Sequence, residues 1–166
     1  MIEGDIFLDV FQGDSVDALI ELQETHRIDS LVLAAASCLY DRKELGESIS
    51  EAEYVILAVE AFETELNNGG FDQFFSNSSV EYAAIITNSL SVIGCTKVAI
   101  LADEAIKLLN LETITPDMIR DKMEQEEEQL ENSLDELDNQ FYSCEEPIAY
   151  KLFEYMKLNR ELIKLV

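Results

Sequence analysis

From Val16 into the C-terminal helix, apolar side chains return every third or fourth residue, and no stretch alternates apolar with polar residues convincingly enough to make a strand. That period places the apolar residues on one face of a helix, and the face must be buried against another element. The chain therefore reads as all-α. Its 166 residues, 48% of them apolar, suit one compact domain over residues 1–166 with about seven or eight helices.

Local signals set the boundaries. Asp14-Ser15 caps a first helix that carries Val16, Leu19, Ile20 and Leu22 and ends near Arg27. A second runs from about Asp29 through Leu31, Val32, Ala35 and Leu39 to a stop at Gly46. Ser50-Glu51-Ala52-Glu53 is a capping box opening a third, which reaches about Asn67 with Val55, Val59, Phe62 and Leu66 inward. Ser76 to Ser79 cap a helix with Tyr82, Ile85, Ile86, Leu90 and Ile93, ended by Gly94. A further helix covers 97–109, and Pro116 opens another at its first position. The last two are expected over roughly 117–139 and 146–165.

Composition enters through charge. Thirty-five acids face 11 Lys and Arg, a formal net charge of −24. Nucleic acid and anionic membrane need cations to displace their counterions, so neither is a direct partner, and a basic protein is. No stretch approaches the roughly 18 apolar residues of a membrane span. The N-terminus lacks the basic region of a secretory signal. Cys38, Cys95 and Cys144 are odd in number and widely spaced, which suggests buried thiols in a reducing compartment, with cytoplasm as the expected location.

The acids concentrate after Pro116, where residues 117–146 hold twelve of them against Arg120 and Lys122. A stripe of Ile119, Met123, Leu130, Leu134, Leu137 and Phe141 faces the core, so the carboxylates look outward. Glu124, Glu128, Glu131, Asp135 and Asp138, with Glu127 beside them, repeat every three or four residues, which stacks carboxylates about 5 to 6 Å apart. That spacing resembles neighbouring phosphates along a nucleic-acid strand. The alternative is the solvated face of an amphipathic helix. Residues 44–96 widen the imbalance with nine acids and no base.

Catalysis lacks its usual parts. One histidine, His26, cannot supply H-E-x-x-H or Glu-x-x-His metal chemistry, and no nucleophile elbow, P-loop or dinucleotide fingerprint occurs. Carboxylate pairs such as Glu60 and Glu63 arise by chance in so acidic a chain. The expectation is a non-enzyme without metal or cofactor.

One stretch is too particular for an ordinary connector: Glu65-Leu66-Asn67-Asn68-Gly69-Gly70-Phe71-Asp72-Gln73-Phe74-Phe75-Ser76-Asn77-Ser78-Ser79. Its structural reading is a helix stopped by glycines with positive φ, followed by an aromatic half-turn that plugs the core. Its functional reading is a pocket where Asn67, Asn68, Gln73 and Asn77 present amides beside Phe71 and Phe74. The same stretch, with Leu134 to Tyr142 and the helix through Tyr155 and Asn159, resembles the signature of a bacterial family of uncharacterised domains that includes an acidic DNA-mimic protein. The resemblance spans roughly residues 50–166 and implies a mostly helical, dimeric protein that occupies the DNA-binding face of a helix-turn-helix regulator or of another nucleic-acid-binding protein. An immunity protein against a basic toxin or nuclease, and a carboxylate-based enzyme or small-molecule binder, are the alternatives.

Overall fold

The computed structural model describes residues 4–166. It is all-α, with eight helices: α1 (Val16–Ile20), α2 (Ile28–Glu44), α3 (Glu51–Ser76), α4 (Ile86–Val92), α5 (Thr96–Leu108), α6 (Pro116–Met123), α7 (Glu128–Tyr142) and α8 (Ile148–Leu158). Among the described residues, extended pairing is confined to one isolated bridge between Ile6 and His26. The chain divides into two compact units, one running through Glu60 and joined by Pro147–Val166, the other Ala61–Glu146.

In the first unit α2 lies against α8 and α1. Leu31, Ala35 and Leu39 of α2 and Leu152 and Met156 of α8 are fully buried. The Ser15 hydroxyl accepts from Ala18 N–H at 3.3 Å and caps α1, as its sequence position predicts. The capping box also forms: Glu53 Oε2 accepts from Ser50 N–H at 2.7 Å, and Ser50 Oγ from Glu53 N–H at 3.2 Å. Glu53 does more than cap. Its Oε1 accepts from Arg42 Nη1 at 2.7 Å and from Lys164 N–H at 2.8 Å, while Arg42 also donates to Lys164 O and Ser48 O and pairs with Glu47. Arg42 and Glu53 are 7% and 2% exposed, so this is a buried ion pair whose remaining hydrogen-bonding groups are met by backbone and by Glu47.

In the second unit α5 packs against both α4 and α7. Cys95 gives α5 no side-chain cap, and the Glu146 carboxylate supplies one by accepting from Val98 N–H at 2.9 Å. The core is aromatic: the Phe62 ring meets Phe71, Phe74 and Phe141 edge-on at 5.8, 5.1 and 6.2 Å, and Phe74 packs on Phe75 at 5.5 Å.

Several expected helices take a different form: the first is α1 followed by a 3-10 turn over Glu21–Glu24, and the one expected after Ser79 is a 3-10 turn over Ser78–Tyr82 before α4. The helix expected to stop at about Asn67 does leave helical geometry at the glycine pair, Gly69 (φ −163°) and Gly70 (φ 72°), and a second helical stretch follows it to Ser76, so that α3 is two helices joined at a kink. The kink turns Phe71, Phe74 and Phe75 into the core, so burial of three rings offsets the interrupted backbone ladder. Only Gly70 needs the left-handed region; Gly69 is extended. The single helix expected over 117–139 is also two. α6 ends with Glu124 as its cap, Glu126 takes φ 48°, and Glu127 is extended before α7 begins.

Candidate acidic interface

The break between α6 and α7 decides which carboxylates form a row. Gln125 N–H and Glu126 N–H bond back to Lys122 O and Met123 O at 3.2 Å each, a helix-closing turn in which Glu126 takes the left-handed position that glycine usually fills. A straight helix would have stacked Glu124, Glu127, Glu128 and Glu131 at spacings of three and four. The turn puts Glu124 at the end of α6 and Glu127 at the cap of α7, so neither continues the helical spacing of Glu128 and Glu131. Glu127 Oε1 instead meets Lys122 Nζ at 2.7 Å across the break.

Three of the expected carboxylates remain together. Glu128, Glu131 and Asp135 are exposed on α7, and none is paired with a cation among the described residues. Glu128 and Glu131 lie in the first turn, where the positive end of the helix dipole favours them. Leu130, Leu134, Leu137 and Phe141 bury the opposite face.

Asp138 departs from the expectation of an outward acid. It is half-buried, and its Oδ1 accepts from Phe71 N–H at 2.8 Å. Burial raises its pKa most; the Phe71 N–H opposes that, and Asp135 and Asp72 add to the rise. One turn on, Tyr142 Oη donates to Leu66 O at 2.8 Å. Sequence reasoning missed this role for both residues, although their spacing of four within Asp138-Asn139-Gln140-Phe141-Tyr142 put them on one side of α7.

The asparagine-rich stretch is tied together by Glu65, another residue whose part was not foreseen. Its Oε2 accepts from Gln73 Nε2 at 2.6 Å and Asn77 Nδ2 at 3.0 Å, and its Oε1 from Ser79 Oγ at 3.2 Å. Gln73 and Asn77 thus direct their amide protons at Glu65, and Phe71 and Phe74 are 1% exposed. Asn67 and Asn68 stay exposed. A separate shallow groove of about 410 Å³ lies between α5 and the end of α7, lined by Lys97, Leu101, Gln140, Ser143, Cys144 and Glu145. No three His, Cys, Asp or Glu side chains gather as a metal site among the described residues, and no helix there is long and apolar enough to cross a membrane.

A family model described as DMP19-like protein matches residues 47–159. That span is most of the chain, and the chain belongs to this family. It takes in the α3 kink and the acidic helix, and leaves α1 and α2 outside. No curated protein and no solved structure matches.

Proposed function

We propose that the protein is a decoy that binds a basic, nucleic-acid-binding protein, most plainly a DNA-binding regulator, through the carboxylates of α7. The observation that carries this reading is the row Glu128, Glu131 and Asp135, exposed and without cation partners, in a member of the DMP19-like family with a net charge of −24. Carboxylates one helical turn apart repeat at about 5 to 6 Å, the order of neighbouring phosphates, so a groove that grips a strand can grip the row. Glu124 and Glu127 at the α6–α7 turn extend the negative field beyond it. Charge of this density speeds encounter with a basic face and makes binding fall with salt.

The test is retention of proteins from the native lysate at low salt on the immobilised protein, followed by displacement with duplex DNA. The expected outcome is a basic DNA-binding protein released by its own DNA site, and lost when Glu128, Glu131 and Asp135 are all changed to Lys without loss of helicity. Retention of a basic nuclease or toxin instead would assign the surface to immunity. Binding that survives the triple reversal would take the row out of the interface.

A further inference from the structure

Resting on the decoy reading, we propose that Asp138 and Tyr142 form a two-point latch that fixes the rotation and register of α7, making Asp138 a positioning residue of the acidic row and not one of its contacts. The α3 kink brings together the free groups of two helix ends: carbonyls before Gly69 and N–H groups after Gly70. α7 supplies a partner to each side. Tyr142 Oη donates to Leu66 O before the kink and Asp138 Oδ1 accepts from Phe71 N–H after it, both at 2.8 Å. Their spacing of four residues is about 6 Å along the helix, so the two side chains straddle the glycine pair. Gly70 makes room for this: a Cβ there would overlap the Asp138 carboxylate, its carbon lying 2.5 Å away.

The latch lies in line with the row it controls. Glu131, Asp135, Asp138 and Tyr142 are spaced four, three and four residues apart, which is a single flank of the helix. The first half of that flank is free and the second half is gripped. Turning α7 by one residue, about 100°, breaks both hydrogen bonds and swings Glu131 and Asp135 away from their direction.

Two lysine probes test this in the full chain. One is a stapled helical peptide with lysines at spacings matching Glu128, Glu131 and Asp135; the other is a flexible oligolysine, which tolerates any register. Asp138→Asn keeps an acceptor for Phe71 N–H and removes the charge, Asp138→Ala removes both, and Tyr142→Phe removes the second point. Expected are loss of hydrogen-exchange protection at Phe71 by about tenfold in Asp138→Ala, little loss in Asp138→Asn, and weaker binding of the stapled peptide in Asp138→Ala and Tyr142→Phe. Oligolysine should not separate Asp138→Ala from Asp138→Asn. If Asp138→Asn weakens the stapled peptide as much as Asp138→Ala does, Asp138 is a charge contact and the latch is overturned. If the wild type binds neither probe, the decoy reading fails by itself, and unchanged Phe71 protection in Asp138→Ala then overturns the latch.

Discussion

Replacing Glu53 by Ala removes the capping-box carboxylate of α3, the partner of a buried guanidinium and the acceptor for Lys164 N–H in one step. An isolated N-terminal cap is worth about 1 kcal/mol. Breaking a buried pair from one side costs about 3–5 kcal/mol, because the other charge stays behind without its counterpart. Arg42 keeps Glu47 and two carbonyls, so the loss belongs toward the lower end of that range. In a chain of this size each kcal/mol lowers Tm by about 2–4 °C, so about 6–12 °C is expected for a loss near 3 kcal/mol. Urea unfolding followed by far-ultraviolet circular dichroism measures it directly. The pH dependence provides an independent check. Burial pushes the Glu53 carboxyl up, but the N–H groups of Ser50 and Lys164, the Arg42 guanidinium and the Ser50 hydroxyl together hold it below the usual glutamate range. A depressed folded pKa stabilises above the unfolded value, about 4.3, and that contribution fades as pH falls through the folded one. The gap between wild type and Glu53→Ala should therefore narrow in acid. A loss below about 1 kcal/mol, or a gap unchanged through the acid limb, would refute the reasoning.

Gly70→Ala forces a side chain into the left-handed region at about 1–2 kcal/mol and drives it into Asp138, whereas Gly69→Ala needs no positive φ and meets only the Gln73 side chain. Denaturant midpoints should fall clearly for the first and much less for the second. Glu126→Gly relieves the left-handed turn between α6 and α7 and should raise stability by up to about 1 kcal/mol in the same assay. Phe62→Ala empties the centre of the aromatic cluster and should cost about 3–5 kcal/mol, with loss of near-ultraviolet dichroism before helicity.

Helix existence and most helix starts were legible in the sequence because they depend on local chemistry. Ser15, Ser50 with Glu53, and Thr115 before Pro116 each satisfy N–H groups within three residues of themselves. What stayed hidden depends on distant partners. The stop at Gly69 and Gly70 was legible, but the helical stretch that follows it goes with burial of Phe71, Phe74 and Phe75 in the core. The break at Glu124 to Glu127 contains neither Gly nor Pro, so periodicity carried the expected helix across it. The acidic row was legible as a spacing, but the spacing does not say which of its members is turned inward. Asp138 is settled by Phe71, 67 residues earlier in the chain, and Arg42 by Lys164, 122 residues later.

The aromatic cluster also orders events during folding. Phe62, Phe71, Phe74 and Phe75 come from one short stretch of chain, so their contacts close loops of modest entropy, while Phe141 must return from far along the sequence. The kinked half of α3 can thus gather its rings first and offer a finished seat, with Leu66 O and Phe71 N–H already in place for Tyr142 and Asp138. A helix of mutually repelling carboxylates that docks onto such a seat would burden the final step of assembly with its charge and spare the nucleus.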